Sequence, residues 1–216
     1  AVSMGLDRSA SLATTLDALV VGYEVGGRLG AAWRIRDGMH VDGTWGVVAA
    51  AAAASALLNN RAPVGMAAAV EVAACMIPAS LYYPVRQGAT TRNLYAAHAV
   101  SRGIEIALAM AAGITAPRQA ISEAAALTFD PAQVVALTSP GTWLVLQGYF
   151  KPFAAVRHVH YGAQAALSWR KAFDTQTQSI TAIRLQTYPE AVIYCGNRAP
   201  VNAIQAQFSL TYGLAH

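Results

Sequence analysis

The run GVVAAAAAASALL, Gly46–Leu58, decides the fold. It has no charge, and Ser55 is its only polar side chain. A helix that crosses a bilayer needs about 20 consecutive apolar residues. This run is 13 residues long and mostly Ala, so it is too short to span. The stretch 62–81 is longer, but it carries Glu71, Pro63 and Pro78. Helices buried in a protein core fit both stretches better than membrane spans, and a membrane partner is not expected.

Immediately before the Ala-rich run lies GMHVDGTWG (38–46), which places His40 among glycines at a helix start. Glycine lets backbone approach a ligand closely. The start of the next helix, near Thr44, would favour an anion. An imidazole beside that anion could act as acid or base near pH 7. The plainer alternative is a loop histidine that only caps the turn.

Composition sets the wider frame. Hydrophobic residues make up 55% of the 216 and charged residues 12%, too apolar a balance for disorder. The chain reads as one large domain, or one domain and part of a second. With so little charged surface, it either buries a large core or hides apolar surface in a partner, and a homo-oligomer is expected. Mean hydropathy is +0.36, which alone supports only a weak lipid-associated reading. Net charge is +4 and the pI about 9.3, but the basic residues are dispersed. They form no nucleic-acid stripe, and mild basicity suits small anionic substrates. Cys75 and Cys195 are far apart, with neither CxxC nor metal spacing, which favours a reducing, cytoplasmic setting. The N-terminal residues lack a basic region followed by an apolar one. The first residue is Ala rather than Met, so the chain reads as a fragment or a processed product.

Working along the chain, 12–32 reads as a helix capped by Ser11 or Thr14, with Leu16, Leu19, Val20 and Tyr23 on one face. Glu24 and Arg28 form a favourable pair four residues apart. Gly22, Gly26 and Gly30 predict close approach of another helix. Asp42 or Thr44 can cap the helix that ends near Leu58, and 59–63 is a turn. Further helices are expected over 64–77, ended or kinked by Pro78, over 96–112, closed by Gly113, and over 117–127. A loop is expected over 83–88. The character then shifts. Residues 143–146 read as a short strand, 159–172 as a helix, 179–187 as a strand of period two, 192–194 as a further strand and 201–215 as a helix. The expected fold is mainly α: a large all-helical domain over 1–148, followed by part of a smaller α+β lid domain over 149–216.

Standard catalytic motifs are missing. None of the histidines forms HExxH, and His158 and His160 would point apart on either a helix or a strand, so no metal site is expected. No GxSxG, P-loop or GxGxxG motif occurs in a suitable context. Besides His40, the candidates are dispersed. Arg92 precedes a helix and could fork onto a carboxylate, or it is a solvated charge. Lys151 lies where composition changes, and domain junctions favour clefts; otherwise it is a linker lysine. His160 could face the same cleft, or be a helix-face histidine satisfied by a backbone carbonyl. Tyr194 is a possible proton donor, or a packing tyrosine.

Taken in order, several segments resemble the MmgE/PrpD family. GYEVGGRLG (22–30) is similar to its Gly-Tyr-Glu-Val helix followed by Arg-Leu-Gly. GMHVDGTWG resembles its Gly-Trp-His-x-Thr-Gly-x-x-Gly segment. RNLYAAHAVSRGIEIALAMAAGITAP (92–117) resembles the helix after its lysine-containing loop. KPFAAVRHVH (151–160) is similar to its Lys-Pro-Tyr-x-x-Cys-x-x-x-His junction, and AQFSLTYGLA (206–215) to a helix near the end of its second domain. The matches span nearly the whole chain.

The resemblance implies a large helical domain with a smaller α+β lid, a dimer, and an active site between the domains. It implies lyase or isomerase chemistry of the dehydratase, decarboxylase or epimerase type, by proton transfer on a small di- or tricarboxylate without cofactor or metal. Such chemistry needs a base, and cations facing the developing charge. By the same resemblance His40 is the proton-transfer histidine, Lys151 the carboxylate-binding junction lysine, His160 the downstream histidine and Tyr194 an active-site tyrosine. Thr44 and Arg92 join the substrate-binding set. At Arg92 the family usually has lysine; arginine can clamp a carboxylate but relays no proton near neutral pH. Ala97 replaces a usual glycine, and Ala155 falls near the usual cysteine. Family members are about twice this length, so the competing expectation is an incomplete fragment or helical scaffold that works only in an assembly.

Overall fold

A computed structural model describes residues 1–58, 62–130, 141–173 and 180–215. Its α-helices are α1 (Val2–Asp7), α2 (Leu12–Ala32), α3 (Gly46–Leu58), α4 (Pro63–Ala74), α5 (Tyr83–Gln87), α6 (Leu94–Ala111), α7 (Ala120–Thr128), α8 (Arg157–Phe173), α9 (Pro189–Cys195), α10 (Ala203–Gln207) and α11 (Leu210–Ala215). Two compact units result. One comprises Ala1–Tyr83 with Thr91–Gly148, the other Pro84–Thr90 with Tyr149–His216. The fold is mainly helical, as the sequence predicts, and no strand forms among the described residues. No helix among them is long and apolar enough to cross a membrane.

In the first unit the Ala-rich α3 is the central rod, packed against α2, α4 and α6. Small residues on α3 meet glycines on its neighbours. A Cβ on Gly22 of α2 would lie 2.9 Å from the Ala49 carbonyl oxygen. One on Gly103 of α6 would lie 2.5 Å from Ala50 Cβ and 2.7 Å from Ala51 N. A Cβ on Gly26 would lie 2.9 Å from Ala49 Cβ, and one on Gly30 3.2 Å from Trp45 Nε1. The predicted helix–helix contact is therefore present at Gly22 and Gly26, Gly30 meets the Trp45 ring just before α3, and α6 adds a second contact of the same kind. Larger side chains fill the ends of this interface. Leu29, Trp33, Val47, Val48, Ile106 and Phe129 form one buried cluster. Phe129 is fully buried, with its ring 5.3 Å from Trp33 and 5.4 Å from Trp45. Burying a side chain of this size contributes about 1.5–3 kcal/mol.

Caps set the helix ends. Ser11 Oγ accepts the Thr14 N–H at 3.1 Å and starts α2 where the sequence places it. Glu71 of α4 accepts the Ile121 N–H at 2.9 Å and caps α7 from a distance. The α7 start therefore falls at Ala120, later than the predicted 117. The α4 helix ends at Ala74, before the predicted 77. The predicted loop over 83–88 contains the short helix α5. Of the predicted turn at 59–63, positions 59–61 lie outside the described residues.

The predicted strand at 143–146 is instead a 3₁₀ turn, Leu144–Gln147, packed on α2. Glu24 explains the difference. It pairs with Arg28 at 2.7 Å, as predicted, and also accepts the Val145 N–H at 3.1 Å. A side chain thereby takes a backbone donor that a strand would have used in a ladder.

In the second unit α11 packs on α8. The strand expected at 192–194 lies inside helix α9, which has Pro189 at its first turn and Glu190 beside it. Both are helix-start signals that outweigh a three-residue apolar run. Of the strand expected at 179–187, position 179 lies outside the described residues, and 180–187 form neither strand nor helix. An alternating pattern makes a strand only where a neighbour completes the ladder. The helix expected over 201–215 is broken into α10 and α11 at Phe208 and Ser209. Ser209 is fully buried; its Oγ donates to the Asn197 carbonyl at 2.6 Å and accepts the Tyr212 N–H at 3.1 Å.

Candidate active site

The turn between α2 and α3 is built to fix one ring. Gly38 and Gly43 both adopt positive φ, +86° and +89°. A Cβ at Gly43 would also lie 2.8 Å from Ser80 Oγ, so the turn closes tightly onto 80–82. There, Met39 and Leu81 form an antiparallel bridge. The His40 N–H donates to Ser80 O at 2.8 Å, and the Tyr82 N–H to Gly38 O at 2.8 Å. Thr44 Oγ1 closes the turn from inside by donating to the His40 carbonyl at 2.9 Å.

The His40 side chain is held as firmly as its backbone and is only 5% exposed. Tyr82 stacks parallel to the ring with centroids 5.6 Å apart, and Tyr95 meets it edge-on at 5.7 Å. Tyr95 is positioned by its own hydroxyl, which donates to Leu81 O at 3.0 Å. His40 Nδ1 accepts the Asp42 N–H at 3.0 Å. A nitrogen that accepts carries no proton, so the neutral ring holds its proton on Nε2.

Charge reaches the ring through Asp42. Its Oδ1 lies 3.8 Å from His40 Nδ1, and its Oδ2 accepts from Arg92 Nη2 at 2.6 Å. Burial pushes the His40 pKa below its ordinary value. The Asp42 carboxylate opposes this shift and the Arg92 guanidinium adds to it. His40 is therefore a neutral imidazole at pH 7, able to donate from Nε2.

The predicted site residues fall into the two units. His40, Thr44 and Arg92 come together in the first. Thr44 is fully buried with its hydroxyl committed to the turn, which is a structural placement. Arg92 bonds a carboxylate, as its residue type suggests, but that of Asp42, through Nη2. Lys151, His160 and Tyr194 lie in the second unit. Lys151 is exposed. His160 is buried, its Nε2 bonded to the Ala155 carbonyl at 3.0 Å and its ring edge-on to Phe153. This is the geometry of a helix-face histidine satisfied by backbone. Tyr194, on α9, stacks parallel to His158 with centroids 6.1 Å apart.

Sequence reasoning missed Asp42, Tyr82, Tyr95, His158 and Tyr188. His158 is 9% exposed, and its Nδ1 bonds the Tyr188 hydroxyl at 2.5 Å. Burial chiefly lowers its pKa; Arg157 and Lys151 lower it further, and Glu190 opposes them. The available signal for Asp42 was its place two residues after His40 in a glycine turn, where its N–H can reach the ring. Among the described residues no group of three or more His, Cys, Asp or Glu side chains could hold a metal ion. Cys75 is exposed, whereas burial pushes the Cys195 thiol up to about 12.

Residues 1–130 match the MmgE/PrpD N-terminal domain, and residues 153–216 match the MmgE/PrpD C-terminal domain. No curated protein matches the chain.

Proposed function

The chain belongs to the MmgE/PrpD family, and from that premise we propose that it is a lyase or isomerase acting by proton transfer on a small di- or tricarboxylate. Family membership points to dehydratase-type lyase chemistry. The absence of any required cofactor, and the roles of Lys151 as a carboxylate ligand and Tyr194 as a proton donor, follow the family resemblance. The observation that carries the reading is the Asp42 N–H held on His40 Nδ1 at 3.0 Å. It makes His40 a hydrogen-bond donor from Nε2, the group needed to stabilise negative charge developing on a departing hydroxyl or beside a substrate carboxylate.

Arg92 gives the site a way to respond to an acidic substrate. A substrate carboxylate competes with Asp42 for the guanidinium, since both are forked acceptors. Once released, the Asp42 carboxylate can accept a hydrogen bond from an Nδ1–H, which favours the tautomer in which solvent has taken the Nε2 proton and returned one to Nδ1. That tautomer leaves Nε2 free as a base. The same histidine then serves as hydrogen-bond donor or as base according to which carboxylate Arg92 holds.

A second reading, a helical scaffold that works only in an assembly, is favoured by a stripe on α2. Leu12, Leu16, Leu19 and Tyr23 are 75%, 51%, 41% and 43% exposed at helical spacing. Proton NMR in D2O separates the two readings, using the full chain with citrate, 2-methylcitrate, cis-aconitate and related acids. The enzyme reading expects deuterium exchange or turnover at one carbon, reduced about 100-fold or more in His40→Ala with the helical circular dichroism retained. A folded wild-type sample inert toward every acid would sink the enzyme reading in favour of the scaffold.

A further inference from the structure

The second unit contains a cavity of about 390 Å³ that the proposed chemistry does not use. It lies where α8 and α11 meet α10 and the segment around Phe153. Its inner surface includes Val159 and Ala163, which are 2% and 8% exposed. Phe153, Ala166, Leu167 and Leu214 extend the apolar lining. The size falls within the range of small-molecule sites.

One charged side chain, Arg170, lines the cavity. It is exposed, and no carboxylate among the described residues pairs with it. An apolar chamber with one guanidinium selects a particular ligand chemistry. The alkyl part of a ligand gains by leaving water, and a single terminal carboxylate matches the planar fork of arginine. A second carboxylate would find no second cation in the lining, only the neutral Gln207 and Tyr212 among apolar side chains, which is unfavourable. The di- and tricarboxylates proposed for the His40 site are therefore poor ligands here.

We propose that this cavity is a binding site for a medium-chain monocarboxylate, its alkyl chain over Val159 and Ala163 and its carboxylate on Arg170. The site is separate from the His40 chemistry and does not depend on it.

Isothermal titration of the full chain with butyrate, hexanoate, octanoate, suberate and octylamine tests the assignment. Octanoate is expected to bind one to one. Affinity should rise about fourfold per added methylene from butyrate to octanoate, the ratio that burial of one methylene gives. Suberate and octylamine should bind at least tenfold more weakly than octanoate. Arg170→Gln, at an exposed position, should weaken octanoate about tenfold or more while leaving the circular dichroism unchanged. Ala166→Phe should abolish binding by filling the chamber. If that variant does not fold, the chain-length series and Arg170→Gln still decide the matter. Absence of octanoate binding, equal binding of octylamine, or an affinity indifferent to chain length would each overturn the proposal. So would self-association of the chain through this face, seen as concentration-dependent dimerisation that Ala166→Phe removes while octanoate has no effect.

Discussion

Replacing Gly103 by alanine sets two opposing effects against each other in the middle of the first unit. In an isolated helix the change is favourable by about 1 kcal/mol. In α6 the new methyl would lie 2.5 Å from Ala50 Cβ, 2.7 Å from Ala51 N and 2.8 Å from the Val47 carbonyl oxygen. Comfortable contacts between carbon atoms are about 3.5–4.0 Å. The overlap is therefore about 1 Å, and two of the three obstructing atoms are backbone, which no rotamer change can move aside. α6 and α3 must separate, at an interface that buries Val47, Ala51, Ala99 and Ile106. Overpacking of this kind costs about 1–3 kcal/mol. The sum is a net destabilisation of about 1–2 kcal/mol and a Tm lower by several degrees. Gly162→Ala is the matched control. It also lies in a helix and is buried, but the nearest atoms to its methyl would be Leu185 Cδ2 at 3.5 Å, Leu214 Cδ1 at 3.7 Å and Leu185 Cδ1 at 3.8 Å, ordinary contact distances to side-chain ends. The propensity term should win there, with a gain of about 0.5–1 kcal/mol. Urea unfolding followed by circular dichroism measures both, with the slope checked for constancy. In a Trp169→Phe background the remaining tryptophans, Trp33, Trp45 and Trp143, all lie in the first unit, and their fluorescence reads that unit alone if the two unfold separately. Wild-type stability in Gly103→Ala, or equal losses in the two variants, would refute the packing argument.

Phe129→Ala should cost about 3–5 kcal/mol, because the ring is fully buried between Trp33 and Trp45; the same urea titration reads it. His40 and His158 both have folded pKa values held below 6.5. The unfolded chain therefore binds protons first on acidification. Stability is complete above pH 6.5 and falls as pH drops from 6.5 toward the folded values, which unfolding at stepped pH would show; a flat profile across that window contradicts it. Asp42→Asn removes the group that opposes the shift at His40, so the ring's titration, followed by proton NMR, should move further down. For the cysteines, an aromatic disulfide reagent at pH 8 should modify Cys75 promptly and leave Cys195 untouched until the protein unfolds, given their exposure and the raised Cys195 pKa.

The helices of the first unit were legible because three independent signals coincide there. In α2 the cap Ser11, the apolar period and the Glu24–Arg28 pair all agree with a helix over 12–32. In α3 the length of the Ala run excludes a membrane span, and its narrow side chains suit the centre of a bundle. The strands predicted at 143–146 and 192–194 rested on three or four apolar residues, too few for period two to be told from a helical turn. At 143–146 the deciding contact comes from Glu24, 121 residues away along the chain from Val145, and no local pattern carries it. At 192–194 the deciding residues, Pro189 and Glu190, were in plain view, and a capping argument read from them would have placed α9 correctly. The break at Ser209 has the same origin as the first error. A buried hydroxyl bonded to the Asn197 carbonyl interrupts an otherwise continuous helical pattern.

Of the candidate residues the sequence names, His40, Thr44 and Arg92 come together in the first unit, and the wiring among them was not legible. His40 stands out because an ionisable ring among glycines at a helix start has few structural duties. What the ring can do depends on which of its nitrogens meets a donor, and that is a property of the folded turn. The Asp42 N–H reaches Nδ1 because Gly38 and Gly43 take positive φ and the 80–82 segment holds the His40 backbone. Arg92 joins Asp42 from 50 residues away, a pairing that spacing alone does not specify. Together these contacts convert a question about histidine basicity into one about competition. While Asp42 occupies Arg92, His40 is a donor. In the proposed reaction, an outside carboxylate that takes Arg92 would make the Asp42 carboxylate available to Nδ1 and His40 a base. Substituting lysine at position 92 would keep the charge but lose the fork, so the exchange of one carboxylate for another would be less directional. If the proposed chemistry holds, the arginine at position 92 is the component that would tie the tautomer of His40 to the presence of an acidic substrate.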